Sequence, residues 1–290
     1  MKQMIKQIMN NSSSYFDILS TVQIIKKYAL LAKKSFGQNF LTNPELLGKI
    51  VKCCDNVKGQ NILEIGTGPC GLTTAILKAE PKKLISVDLD KRCVEIAENE
   101  LLPHFDNLTV LNQDALKLDE SKLFNGEKFS IISNLPYNIG TVLLCKWLEN
   151  LENNNIHQMI LLLQKELVDR IIAKNNTKQY GRLSIFSQYC CFVEKMFDIK
   201  PTAFIPQPNV ISSVVKLTVK KNIDYSIVDK LTKLTQIIFS KRRKTIYNNL
   251  SHIANIENIL NNLQIDKNIR AENLTVKEFV LLSKNIDVSI

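Results

Sequence analysis

Asn61-Ile62-Leu63-Glu64-Ile65-Gly66-Thr67-Gly68-Pro69-Cys70-Gly71 begins as a strand and ends as a turn. The first five residues form a short apolar run around one acid, Glu64, and glycines at 66, 68 and 71 then interrupt it. From Leu72 to Ala79 the apolar residues recur at helical spacing. Strand, glycine-rich turn and helix in that order open a nucleotide-binding α/β fold. Glycine lets the backbone turn tightly and approach a ligand closely. Asp88 closes the next apolar run, Lys83 to Val87, and an acid near that spacing takes the hydroxyls of a ribose.

The same alternation continues outward. Apolar runs at Leu108 to Leu111, Phe129 to Ile132 and Met159 to Leu163 are separated by helical stretches at Lys91 to Leu102, Thr141 to Leu151 and Glu166 to Ala173. This predicts βαβ units around a mostly parallel sheet, an α/β doubly wound, Rossmann-like fold. Phe192 to Ile199 and Ser212 to Val219 follow one another without a long crossover helix, which predicts an antiparallel edge. From Asn222 onward the pattern is helical only, with helices expected over residues 226–240, 242–250, 255–263 and 275–284.

The glycine turn is compatible with NAD or with S-adenosylmethionine. Gly66, Gly68 and Gly71 meet the Gly-x-Gly-x-x-Gly spacing of a pyrophosphate loop. Glu64 argues against a pyrophosphate, which its carboxylate would repel, and suits a methionine ammonium. Asp114-Ala115 follows the third strand. Its carboxylate can accept from the amino group of a cofactor adenine, or cap a helix.

Asn134-Leu135-Pro136-Tyr137 ends the fourth strand and is the most specific motif of the chain. Open α/β sheets bind substrate at strand carboxyl ends. The Asn134 side chain and the Leu135 carbonyl can accept both hydrogens of an exocyclic amine, Pro136 fixes the turn, and the ring of Tyr137 offers a stacking face for adenine. Adenine's amino nitrogen is a poor nucleophile, because its lone pair is delocalised. Accepting its two hydrogens favours a more tetrahedral nitrogen aimed at a sulfonium methyl. Positioning and electrostatics then carry the catalysis, with no covalent nucleophile and no strong base. Phe204, in a proline-flanked loop, either closes over the other face of a flipped base or packs in the core.

Composition points to an anionic partner. The net charge is +10, from 38 basic and 28 acidic residues. The longest apolar stretch, Met159 to Leu163, is far short of the roughly 20 residues that span a bilayer, so a membrane partner is not expected. Seven cysteines without a Cys-x-x-Cys pair, and three histidines away from the cysteine pairs, predict reduced thiols in a cytoplasmic protein and no metal. Residues 1–44 hold six lysines, one acid (Asp17) and no arginine. They suit neither a secretory signal nor a transit peptide, and residues 1–32 are expected to be a basic extension directed toward RNA.

With these motifs in place, the chain resembles the ribosomal RNA adenine dimethyltransferases of the bacterial small-subunit (16S) type. The resemblance rests on Gly37-Gln38-Asn39-Phe40-Leu41, on Glu64 to Thr73 and on Asn134 to Asn138. Leu163 to Glu166, Tyr180 to Ser184, the loop from Phe204 to Ser213, Ser240 to Thr245 and Arg270 to Leu274 extend it. It covers about Lys33 to Leu282. It implies a methyltransferase domain over 33–221 and a small helical rRNA-binding domain over 222–290. It further implies S-adenosylmethionine as methyl donor, no metal, and two adjacent adenines near the 3′ end of 16S rRNA in the small (30S) subunit as target, with a monomer expected. Cofactor contacts implied by the motifs fall on Gln38, Asn39, Leu41, Glu64, Gly66, Gly68, Asp88, Asp114, Ala115 and Asn134. Target-base roles fall on Asn134, Leu135, Pro136, Tyr137 and Phe204. The run Lys241-Arg242-Arg243-Lys244 is then an rRNA phosphate contact rather than a solvated helix face. Asp88 stands where the family usually has Glu, and Cys70 where a loop glycine is usual. Rival readings are a large-subunit rRNA methyltransferase, a non-catalytic nucleic-acid-binding protein of the same fold, and a DNA adenine methyltransferase, which would carry Asp-Pro-Pro-Tyr in the catalytic motif.

Overall fold

The computed structural model describes residues 18–286; the first seventeen residues of the expected extension, and residues 287–290, lie outside the described residues. The strands are β1 (Phe40–Leu41), β2 (Asn61–Ile65), β3 (Lys83–Asp88), β4 (Leu108–Asn112), β5 (Phe129–Asn134), β6 (Ile156–Gln164), β7 (Cys191–Ile199), β8 (Phe204–Ile205) and β9 (Ser212–Val219). The helices are α1 (Thr21–Lys27), α2 (Pro44–Val51), α3 (Gly71–Leu77), α4 (Lys91–Glu100), α5 (Gly140–Glu149), α6 (Lys165–Ile171), α7 (Arg182–Cys190), α8 (Val228–Ser240), α9 (Ile246–Leu250), α10 (Ile256–Asn262) and α11 (Val276–Asn285).

Seven strands form one sheet in the order β4-β3-β2-β5-β6-β9-β7. The first five pair in parallel. The expected antiparallel edge is present, with β9 inserted antiparallel between β6 and the outermost strand β7. The order runs outward from β2 to β4 on one side and from β5 on the other, so the switch point lies between β2 and β5. All five residues of β2 are buried, as helices cover both faces of the sheet. Leu47, Ile50 and Ile76 pack on one face, and Leu143, Trp147 and Val168 on the other.

Three helices lie outside the elements expected from periodicity. Helix α1 falls in the presumed extension, yet Ile24 and Leu30 are core residues of the catalytic body, so residues 18–32 are part of that body rather than a tail. Helix α2 is started by Asn43, whose side chain accepts from the amides of Glu45 and Leu46, with Pro44 in the first turn. Helix α7 shows no one-sided stripe because it is sandwiched. Leu183 and Cys190 face the sheet, while Ile185 joins the core of the C-terminal helices. That third core holds Leu234, Ile238, Leu250, Phe279 and Leu282, with Tyr180 contributed from outside the C-terminal segment. Helix α9 begins at Ile246 rather than 242, because the Thr245 hydroxyl accepts from the Asn248 amide and starts the helix there.

Candidate active site

A pocket of about 220 Å³ opens at the carboxyl ends of β2, β3 and β5, beside the switch point. The turn after β2 lines it. Gly66 and Gly68 sit at φ 87° and 52°. A Cβ on Gly66 would stand 3.5 Å from the Asn134 carbonyl oxygen and fill the space between the two strand ends. Cys70, fully buried, holds φ 61°, so at this position, where the resemblance led to an expected glycine, the chain carries a residue that bears left-handed strain of about 1–2 kcal/mol. Gly71 does not take over that role. Its lack of a side chain serves packing, since a Cβ there would meet the Thr21 hydroxyl oxygen at 2.6 Å.

Asp88 lines the pocket at the end of β3. Its Oδ2 accepts from the Gly68 amide at 2.9 Å and its Oδ1 from the Asp90 amide at 2.8 Å. Burial pushes its carboxyl above the usual range, and the two amides oppose that shift. Asp114 caps a short turn, accepting from the Leu116 amide through Oδ1 at 3.0 Å. Its second oxygen has no partner among the described residues. Leu89 and Leu116, both well exposed, line the pocket beside Asp88 and Asp114. The sequence reading passed over them, although each follows a strand-end acid by one or two residues. An apolar slot flanked by two carboxylates fits an adenosine, with ribose hydroxyls at Asp88 and the adenine amino group at Asp114. The Asp114 turn is braced from α5, where Lys146 Nζ donates to the carbonyls of Ala115 at 3.0 Å and Leu118 at 2.5 Å and to Glu120 at 2.8 Å.

Two expected cofactor contacts take other positions. Glu64 does not line the pocket. It is fully buried beneath the turn, where Oε2 accepts from the Ser86 hydroxyl at 2.6 Å and Oε1 has no partner among the described residues. Burial pushes its carboxyl up to about 8. Ser86 also pairs with Thr67 at 2.7 Å, so Glu64 supports the turn from below. Gln38 lines the pocket, yet its side-chain oxygen accepts from the Lys33 amide at 2.8 Å and its nitrogen donates to Asp90 at 3.2 Å. It holds the strap of residues 35–41 against α4, and Asn39 and Leu41 on that strap line the same pocket.

Asn134, Leu135, Pro136 and Tyr137 all line the pocket, at the end of β5. Asn134 Nδ2 donates to the Asn39 carbonyl at 3.2 Å. A carbonyl can only accept, so this contact fixes the amide and leaves Oδ1 as a free acceptor. The Leu135 amide donates to the Leu162 carbonyl at 3.3 Å, and the Leu135 carbonyl has no donor among the described residues. The Pro136 carbonyl accepts from the Ile139 and Gly140 amides. The Tyr137 hydroxyl pairs with the Ser212 hydroxyl at 2.5 Å, which anchors the ring to β9. Two free acceptors and one aromatic ring are therefore held next to one another on the wall of the same pocket.

Phe204 is not on the pocket wall. It is 3% exposed and opposite Leu41 in the two-stranded pair of β1 and β8. It packs the strap onto the core, the core-packing alternative. The basic run Lys241 to Lys244 is an exposed turn between α8 and α9, and none of its residues lines the pocket. Arg242 is committed within it, donating to the carbonyls of Tyr180 at 3.1 Å and Lys178 at 3.2 Å and to Glu272 at 3.2 Å. Lys241, Arg243 and Lys244 make no ion pair among the described residues. No group of three or more metal-ligating side chains occurs among the described residues, and no described helix is long and apolar enough to cross a membrane.

A family sequence model described as ribosomal RNA adenine dimethylase matches residues 29–287. The chain is 39% identical to a ribosomal RNA small subunit methyltransferase A from Wolbachia sp. subsp. Drosophila simulans (strain wRi), over 91% of this chain and 96% of that one. It is 40% identical to the protein of the same name from Pelagibacter ubique (strain HTCC1062), over 88% and 97% respectively. Among solved structures, a dimethyladenosine transferase from Plasmodium falciparum superposes with a TM-score of 0.73 at 27% identity, covering 84% of this chain and 95% of that one. With the switch-point pocket and an intact Asn-Leu-Pro-Tyr turn on its rim, the chain belongs to the ribosomal RNA adenine dimethylase family.

Proposed function

We propose that the protein dimethylates the N6 amino groups of two adjacent adenines near the 3′ end of 16S rRNA, within the small ribosomal subunit, and acts in the cytoplasm as a monomer. The observation that carries this reading is the fixed Asn134 amide, whose free Oδ1 stands with the free Leu135 carbonyl beside the Tyr137 ring.

S-adenosylmethionine, when bound, supplies an electrophilic methyl group on a sulfonium. Asp88 and Asp114 hold its ribose and adenine, between Leu89 and Leu116, and the strap bearing Asn39 and Leu41 covers it. On the rim, Tyr137 stacks the target adenine, and Asn134 Oδ1 and the Leu135 carbonyl accept its two amino hydrogens. Those bonds draw the nitrogen lone pair out of the ring and point it into the pocket. The alkylated amine is acidic and releases its own proton to water after the methyl has been transferred, so neither acceptor has to act as a strong base. After one transfer a single hydrogen remains, which either acceptor can take, so the same turn serves a second transfer. Lys241, Arg243 and Lys244 supply rRNA phosphate contacts. The helical segment from residue 222 presents them as its rRNA-binding surface.

Label transfer from S-adenosylmethionine tests the substrate. Unmethylated small subunits, intact large subunits and protein-free large-subunit rRNA are offered in parallel. Label in small subunits is the expected outcome. Label confined to large-subunit rRNA moves the target to the other subunit, and cofactor binding without label in any RNA leaves a non-catalytic RNA-binding role.

A further inference from the structure

A second cavity of about 120 Å³ adjoins the first, and Tyr137 is a wall of both. Thr141 of α5, Gln164 at the end of β6, and Glu166 and Arg170 of α6 bring polar side chains to it. Among the described residues none of these four side chains has a hydrogen bond or an ion pair. Glu166 and Arg170 stand four apart on one helix, a spacing that allows pairing, and do not pair. The other charges of the same helix are committed, Lys165 to Asp169, and Asp169 in turn to Lys195 at 4.0 Å. The cavity therefore concentrates unused hydrogen-bonding capacity next to the proposed target-base position.

We propose that this cavity receives the base of a nucleotide adjoining the target adenine and reads its polar edge, an inference that rests on the rRNA reading above. The donor set selects for a base. Glu166 can only accept and repels a phosphate; Arg170 can only donate and repels a cationic side chain; Gln164 and Thr141 do both. A base edge presents donors and acceptors side by side, and the neighbours of a flipped nucleotide are unstacked and free to be read. Because Tyr137 lines both cavities, a target stacked on it in the first brings the adjoining nucleotide close to the second. A guanine edge fits best, with two adjacent N–H groups for the Glu166 carboxylate and a carbonyl oxygen for Arg170 or Gln164.

The test uses small subunits whose rRNA carries each of the four bases at the nucleotides flanking the methylated adenines. Initial rates are compared for the unaltered protein and for Glu166→Gln with Arg170→Met, singly and together. The unaltered protein is expected to prefer one base at one flanking position by about tenfold or more, and the double variant to lose that preference to within about twofold. Its affinity for S-adenosylhomocysteine and its unfolding midpoint stay as they were, which separates base reading from damage to the fold. Unchanged preference in the double variant, or no preference in the unaltered protein, overturns the subsite and leaves the rRNA activity standing. Absence of transfer to every subunit by the unaltered protein overturns both.

Discussion

Glu64 illustrates how far a single side chain can depart from the role its charge suggests. It holds a proton in the folded chain at pH values where the unfolded chain has released it, since burial raises its carboxyl from 4.5 to about 8. The folded state then binds more protons than the unfolded one, so stability falls as pH rises through that window. Glu64→Gln keeps the shape and removes the titration. Relative to this variant, the unaltered protein is expected to lose on the order of a few kcal/mol of unfolding free energy between about pH 5 and about pH 8. Denaturant unfolding at both pH values checks it, and parallel losses in the two proteins contradict it. The charge of Glu64 suits a methionine ammonium, and a strand covered on both faces shows no alternation from which to read that the side chain points away from the pocket. Phe204 was ambiguous for a related reason, as only its pairing with Leu41 decides between core and rim. Asn134 and Tyr137 were readable because a strand end followed by proline leaves little freedom for where they point. Cys70 was readable as a question of φ, and the answer lies in the loop itself.

Among elements, the βα units were legible from the spacing of their apolar runs, and the sandwiched helix α7 was not, since its two partners come from distant parts of the chain. Lys146 belongs to this scale. It joins α5, which follows the Asn-Leu-Pro-Tyr turn, to the Asp114 turn, where the cofactor adenine is proposed to lie. Lys146→Met is expected to weaken S-adenosylhomocysteine binding about tenfold, roughly 1.4 kcal/mol. The loss is expected to be less than additive with Asp114→Asn, because both act through one turn, and to be partly restored by Lys146→Arg. Calorimetric titration of the unaltered protein, the three single variants and the double variant measures it. Full additivity would place Lys146 outside the cofactor site. The turn between α8 and α9 carries a second element-scale distinction. Arg242→Ala removes two hydrogen bonds that join the C-terminal helices to the segment before α7 and a third, to Glu272, within the C-terminal segment, and is expected to cost about 1–3 kcal/mol in unfolding free energy. Arg243→Ala is expected to leave stability within about 0.5 kcal/mol. It should lower the slope of log affinity for small subunits against log salt by about one. Equal effects of the two substitutions in both measurements contradict the division.

For the molecule as a whole, net charge indicated an anionic partner and left its identity open; the motifs and the family match supply the rRNA. The chain divides its labour by position. The switch point of the sheet brings the cofactor turn and the Asn-Leu-Pro-Tyr turn to one pocket, the strap from residue 35 closes over it, and the exposed basic turn lies on the C-terminal helices. The expected boundary near residue 221 is only partly visible in packing, because Tyr180 and Ile185 contribute to the C-terminal core. No local pattern announces such sharing, as it depends on contacts between segments far apart in sequence.

Nucleoside analysis of small-subunit rRNA after reaction with the unaltered protein and with Asn134→Ala, at saturating S-adenosylmethionine, addresses the proposed chemistry at its centre. The unaltered protein is expected to yield N6,N6-dimethyladenine at two adjacent positions near the 3′ end. Asn134→Ala is expected to yield none while still folding and binding subunits. Methylation at another atom or another base, or normal dimethylation by Asn134→Ala, contradicts the assignment of the reacting turn.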